Sequence, residues 1–169
     1  FGAGAITGYH SPAADVIQYA LGKETTGPVE IIHPNSGQFP TLTCRYADGM
    51  LLHHLDGWDQ AKTLYHAVPD NARLAGMFGG LFVGERGWLT SNSAAGPIEG
   101  GPQEVMRDLD IASLEVNIGS NNHHANWLAC IRSRRRPSST EAIGHRAASL
   151  GPLAAASFKL GRALKLGRP

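Results

Sequence analysis

The stretch that decides the fold is TLTCRYADGMLLHHL, residues 41–55. Its first half alternates between two sets of side chains, as expected for a strand with one buried face. The two faces would carry Leu42, Cys44 and Tyr46 on one side and Thr41, Thr43 and Arg45 on the other. Asp48-Gly49 is typical of a hairpin turn, and the apolar residues after it suit a returning strand. The stretch therefore predicts an antiparallel hairpin.

Upstream of the hairpin, the sequence predicts a loop or short strand over residues 2–8, because small residues dominate there. Ser11-Pro12 is typical of a helix start, and Gly22 of a helix end. Further strands are predicted at residues 29–32, 73–78, 81–83 and 87–91.

Two helices are predicted near the C-terminus. Ser120 or Asn121 would cap the first. Ser138 and Glu141 have capping-box spacing and would begin the second, with an interruption at Gly151-Pro152. A helix, hairpin-linked strands and terminal helices together predict an α+β fold over residues 1–169: an open, mostly antiparallel sheet with helices packed on one face.

Composition excludes few classes of protein. The 169 residues carry 15 basic and 14 acidic side chains, a formal net charge of +1, which gives no reason to expect nucleic acid as a partner. No apolar run approaches the roughly 20 residues of a membrane-spanning helix. Cys44 and Cys130 have apolar neighbours and are interpreted as core side chains. Because the chain begins at Phe1 without a signal-peptide pattern, we expect it to be part of a longer protein of undetermined compartment.

Common catalytic motifs are absent. Gly2-x-Gly4 is not a dinucleotide loop, since the third glycine is one residue late at Gly8 and no strand precedes it. The pairs His53-His54 and His123-His124 are adjacent, and neighbouring side chains point in different directions, so no metal site is predicted. Cys44 has no evident basic partner in the sequence, which argues against a catalytic thiol.

A series of segments carries more information than any single motif. In order along the chain they are TGYHSPAADVIQYALG (7–22), TGPVEI (26–31), YADG (46–49), GLFVGERGWL (80–89), NHHANWLACIRS (122–133), GHR (144–146) and LGRAL (160–164). This order resembles the C-terminal region of bacterial members of the Gfo/Idh/MocA family, the relatives of glucose–fructose oxidoreductase and inositol dehydrogenase. The resemblance extends from Gly2 to about Pro169.

The resemblance implies that this chain is the C-terminal domain of a two-domain oxidoreductase. An N-terminal Rossmann domain, absent here, would bind NAD or NADP, and the junction of the two domains would bind a sugar, cyclitol or related polyol. The outer face of the sheet would form contacts in a homo-oligomer. No cofactor is expected on this chain alone.

One segment departs from the family pattern. Aligned without gaps, Gly8 stands at the family's aspartate position and Pro12 and Ala13 at its two histidine positions, whereas Asp15 keeps the last acidic position. Neither Pro12 nor Ala13 can exchange a proton. His10 is the candidate replacement, since a neutral imidazole suits proton transfer from a hydroxyl; alternatively it only forms local hydrogen bonds.

The predicted site therefore contains His10 as the catalytic candidate, with substrate contacts from Tyr9, Ser11, Asp15, His123 and His124. Asp15 is interpreted first as a helix first-turn carboxylate, and the two C-terminal histidines as helix-start residues. Two functions remain open. The chain is the substrate-binding half of an NAD(P)-dependent sugar or polyol dehydrogenase, or it is a binding and oligomerisation module that lost its acid–base residues. A free-standing hydrolase lacks a recognisable nucleophile.

Overall fold

The computed structural model describes residues 4–8, 10–72, 79–91, 98–107 and 122–167. The elements in these segments, in chain order, are α1 (Ala5–Gly8), α2 (His10–Ala20), β1 (Glu30–Ile32), a 3-10 turn (Pro34–Ser36), β2 (Leu42–Arg45), β3 (Leu51–His54), α3 (Trp58–Leu64), β4 (Gly80–Gly84), β5 (Gly87–Ser91), β6 (Ile98–Gly101), α4 (Gln103–Arg107), α5 (His123–Ser133), α6 (Glu141–Leu160) and β7 (Leu164–Lys165). The strand predicted at residues 73–78 lies outside the described residues.

The predicted hairpin forms β2 and β3 of a four-stranded antiparallel sheet with the order β3-β2-β1-β7. Gly49 adopts a φ of 89°, a backbone conformation that favours glycine, and the Tyr46 amide donates to the Met50 carbonyl at 2.9 Å. This closure pairs Cys44 with Leu52 and Leu42 with His54. The hairpin is confirmed, but the prediction of a single buried face is wrong: Thr41 and Thr43 are as fully buried as Leu42 and Cys44.

Helices cover one face of this sheet. The buried face carries Ile31, Cys44 and Leu52, which pack against Ala14 of α2 and Leu150 of α6. Each fully buried aliphatic side chain of this kind contributes about 1.5–3 kcal/mol relative to an exposed one. The α+β class with antiparallel strands is therefore confirmed.

A second sheet was not distinguished in the sequence. Strands β4, β5 and β6 form a separate three-stranded antiparallel sheet. Its Trp88 packs with Ala61 of α3 and with Val68 in a second apolar cluster. The strands are thus divided between two sheets and two clusters.

Several predicted boundaries were wrong. Residues 5–8 are helical rather than a loop or strand, and α5 is capped by Asn122, whose Oδ1 accepts hydrogen bonds from the amides of His124 and Ala125. The N-cap of α6 is Thr140, whose hydroxyl oxygen accepts a hydrogen bond from the Ile143 amide at 3.3 Å. Ser138 lies outside the helix.

Helix α6 also continues through the predicted interruption. A Cβ on Gly151 would lie 2.9 Å from the Ile6 carbonyl oxygen, so the missing side chain lets α1 pack directly on α6. Pro152 lies inside the helix, where it cannot donate a backbone hydrogen bond. In the described part of the chain, no helix has the length and apolar composition needed to cross a membrane.

Candidate ligand-binding cleft

A cleft of about 1330 Å³ lies between α2, the β3 edge of the four-stranded sheet and β4 of the second sheet. One stripe of α2 lines it with His10, Ala13 and Ile17, spaced three or four residues apart as on one face of a helix, and Leu21 follows directly after the helix. The opposite walls are residues 50–58 and residues 79–87. The cleft therefore lies where the two sheets approach each other.

A glycine fixes how closely β4 approaches α2. A Cβ on Gly80 would lie 2.8 Å from Cγ1 of Ile17. Because no real Cβ is tolerated at that distance without movement, the wall of the cleft depends on glycine at this position.

The two sides of β3 differ, because neighbouring residues of a strand point to opposite faces. We call the side that carries Leu52 and His54 the inner side, since it faces α2 and the apolar core. The side that carries Leu51 and His53 is the outer side. Both histidines line the cleft.

On the inner side, His54 joins α2 to the sheet. Its ring stacks on His10, with ring centroids 4.3 Å apart and an angle of 4° between the planes. Its Nε2 lies 3.3 Å from Sγ of Cys44. The strand register explains the contact, since the residue pairs Leu42–His54 and Cys44–Leu52 are neighbours on one face.

Burial keeps this inner group uncharged. It lowers the pKa of His54 to about 3, with smaller contributions from His10 and His53, and it also lowers the pKa of His10. It raises the pKa of the Cys44 thiol to about 12. Cys44 and His54 are therefore a thiol and a neutral imidazole at pH 7, not the ion pair that activates a cysteine nucleophile.

Each inner histidine has one ring nitrogen without a partner. The Nδ1 atoms of His10 and His54 are both buried without a hydrogen-bond partner among the described residues. A catalytic imidazole usually has its second nitrogen fixed by a carboxylate or carbonyl. This side of β3 can bind a ligand through neutral imidazole groups, but nothing in it strengthens a base.

On the outer side, His53 has a defined orientation. The Thr43 hydroxyl donates to the Thr41 carbonyl at 3.1 Å, and the same oxygen lies 2.8 Å from Nδ1 of His53. The His53 ring also contacts Phe39 and Tyr65 edge-on, at centroid distances of 5.1 Å and 5.8 Å. Burial lowers the pKa of His53 and raises that of Tyr65, so both are neutral at pH 7.

The remaining predicted site residues do not meet in the cleft. Ser11 donates to the Thr7 carbonyl at 3.1 Å, and neither it nor Asp15 lines the cleft. Asp15 is also not a first-turn carboxylate, because α2 begins at His10. Tyr9 lies outside the described residues.

The C-terminal histidines lie elsewhere on the molecule. His123 and His124 begin α5, are exposed, and line no part of the cleft. Their rings contact each other at 4.0 Å. Within the described segments, no group of three or more histidine, cysteine, aspartate or glutamate residues is arranged to hold a metal ion.

Sequence reasoning missed His54, His53 and Tyr65 as cleft residues, and it missed His54 as a neighbour of Cys44. The signal was the Asp48-Gly49 turn: a tight hairpin there pairs residue 44 with residue 52 and so brings residue 54 near. The argument against a catalytic thiol now depends on burial instead. Searches of family models, curated proteins and solved structures return no match to this chain.

Proposed function

We propose that the cleft binds a sugar, cyclitol or related polyol and that the chain is the substrate-binding half of an NAD(P)-dependent oxidoreductase. The observation that carries the proposal is the imidazole group of His10, which lines the cleft uncharged beside His54. Neutral imidazoles exchange hydrogen bonds with hydroxyl groups, and Trp58, Tyr65 and Phe82 add aromatic surface for the apolar face of a sugar.

The size of the cleft supports a second occupant beside the substrate. About 1330 Å³ exceeds the roughly 300–1,000 Å³ of an ordinary small-molecule pocket. Since the chain has no glycine-rich phosphate loop, NAD or NADP would be held by a separate Rossmann domain with its nicotinamide directed into this space. The nicotinamide would accept hydride from the substrate.

In that reaction, residues of this chain orient the polyol and accept its hydroxyl proton. The imidazoles of the cleft are the candidate acceptors because they are uncharged at pH 7. Asp56, Glu85 and Arg86 lie exposed at the cleft surface, where they can contact the ligand's outer hydroxyls through charge-assisted hydrogen bonds. The family's outer-face oligomer is proposed for this chain as well.

A second candidate function is a binding module without chemistry. It is favoured by the unpartnered Nδ1 of His10 and by its lowered pKa, both of which make His10 a weak base. Pro12 and Ala13 at the family's histidine positions point the same way.

Ligand binding tests the shared part of both candidates. We expect a panel of sugars and cyclitols to change the fluorescence of Trp58, which lines the cleft. The exposed Trp127 can be replaced by phenylalanine to lower the background. His10→Ala should weaken binding, whereas the matched control His124→Ala, on the exposed start of α5, should not.

Oxidation then separates the candidates. The full-length protein, with the sequence encoded before this chain, would be assayed for polyol-dependent reduction of NAD and NADP. Turnover that falls in His10→Ala supports the dehydrogenase, and binding without turnover supports the module. Absence of polyol binding by the full-length protein overturns both.

A further inference from the structure

We infer that His53, not His10, is the hydrogen-bond acceptor for a ligand hydroxyl in this cleft, and that Thr43 is the residue that positions it. The inference rests on the proposed function, which it deepens by assigning the residue that recognises the hydroxyl. It follows from the contacts of Thr43 on the outer side of β3 and from the unpartnered Nδ1 of His10 on the inner side.

The tautomer of His53 follows from counting hydrogens. A threonine hydroxyl has one hydrogen, and we assign that of Thr43 to the Thr41 carbonyl, 3.1 Å away, because a carbonyl oxygen can only accept whereas an imidazole nitrogen can donate or accept. The contact of 2.8 Å between Thr43 Oγ1 and His53 Nδ1 is then a hydrogen bond only if Nδ1 donates. In a neutral imidazole with Nδ1 protonated, Nε2 is an acceptor.

This acceptor is accessible in the cleft. His53 is a lining residue, and its Nε2 is not among the buried unpartnered nitrogen and oxygen atoms of the described residues. The ring is held between Phe39 and Tyr65, so Nε2 has a fixed position. A fixed, neutral, accessible acceptor is the group that a ligand hydroxyl requires.

His10 has the opposite arrangement. Its Nδ1 is buried without a partner, and an orphaned buried N–H is rarer and less favourable than an orphaned lone pair. The favoured tautomer therefore carries its hydrogen on Nε2, which makes His10 a donor toward the cleft. Thus, His10 and His53 offer complementary groups to a polyol from opposite sides of β3.

The tautomer can be measured without any ligand. Protonated and unprotonated ring nitrogens have well-separated ¹⁵N chemical shifts, so NMR of labelled protein at pH 7 should show Nδ1 protonated in His53 and Nε2 protonated in His10. In Thr43→Val, the hydroxyl acceptor is lost at nearly constant volume and the His53 hydrogen should move to Nε2. Thr43→Ser should restore the original tautomer. Nε2 protonation of His53 in the unaltered protein would overturn the inference.

Binding then tests the role. His53→Asn retains an amide N–H near Thr43 and removes the Nε2 acceptor, so polyol affinity should fall about tenfold or more. Thr43→Val should weaken affinity several-fold with the ring still in place, and Thr43→Ser should recover it. The matched control is His66→Gln, an exposed histidine one residue beyond Tyr65 that does not line the cleft.

The two levels of proposal fail in different ways. If the unaltered protein binds no polyol, the proposed function and this inference fall together. If it binds and His53→Asn and Thr43→Val bind equally well, only the inference is overturned, and the greater loss should then be found in His10→Ala. Where turnover is present, a rise in KM with kcat unchanged in His53→Asn indicates that His53 binds the substrate in the ground state. A fall in kcat in the same variant indicates that His53 also accepts the proton.

Discussion

The inner and outer sides of β3 place two consecutive histidines in the same cleft with different properties. His54 is stacked on His10 and touches a buried thiol, with one nitrogen unpartnered, whereas His53 is oriented by Thr43. Burial lowers the pKa of both, but their Nδ1 atoms differ: that of His53 lies 2.8 Å from the Thr43 hydroxyl oxygen, whereas that of His54 has no partner among the described residues. A histidine is prepared for recognition by what fixes its second nitrogen, rather than by its burial alone.

The largest expected difference between the two sides is in acid stability. His54 has a folded pKa of about 3, against the ordinary value of 6.5 for a histidine, so between these two pH values the unfolded state binds the proton and the folded state does not. The contribution of the neutral His54 to the free energy of unfolding is complete above pH 6.5 and is lost as the pH falls from 6.5 toward 3. The loss is on the order of 3–5 kcal/mol, and His10 adds to it in the same direction.

Urea unfolding between pH 4 and 7.5 measures this effect. His54→Gln removes the titrating group and should flatten the profile, whereas His53→Asn should flatten it less. If the free energy of unfolding falls equally steeply toward acid pH in both variants, the inner side does not dominate the loss of stability in acid.

The next effect concerns the wall between α2 and β4. Gly80→Val places methyl groups where even a Cβ lies 2.8 Å from Ile17, and overpacking of this kind costs about 1–3 kcal/mol. Ile17→Ala made in the same chain should recover part of the loss, because it vacates the space. Additive losses in the double variant would mean that the two residues do not contact each other.

How much of this could be predicted from the sequence depends on the range of the interaction. The hairpin, its faces and the core cysteines were predictable because alternation and the Asp48-Gly49 turn are local signals. The partnership of His54 with Cys44 followed from the same register, but only once that register was fixed.

The contact of His10 with His54 could not be predicted, because it depends on how α2 packs over the sheet. Asn122 and Thr140 were missed as caps for a simpler reason: several capping residues stand close together, and only geometry selects among them. Helix α6 is continuous through Gly151-Pro152, where the sequence predicted a break, and α1 packs on it there.

A smaller effect is expected at the thiol of the inner side. Cys44 is fully buried with a pKa raised to about 12, so in the folded protein at pH 8 it should not react with a thiol reagent. Labelling should proceed only through unfolding and should quicken with added urea. Cys44→Ala should cost about 1–2 kcal/mol through lost burial and cavity formation. Rapid labelling of Cys44 in the native state, with Cys130→Ala as background, would contradict its enclosure.

The smallest effect on stability is expected on the outer side of β3, at an ion pair on the same face of the sheet as Thr43 and His53. Glu30 pairs with Arg45 across β1 and β2, with 3.7 Å between Oε2 and Nε, and both side chains are partly exposed. Solvent screening limits the coupling energy of such a pair to about 0.2–1 kcal/mol. A double-mutant cycle with Glu30→Gln and Arg45→Met should give a coupling energy near the lower end of this range. The coupling energy should diminish at high salt. A coupling as large as the acid effect of His54 would mean that the outer side is held by its charges. The small value expected here leaves the neutral bonds from Thr43 as the interactions that orient His53.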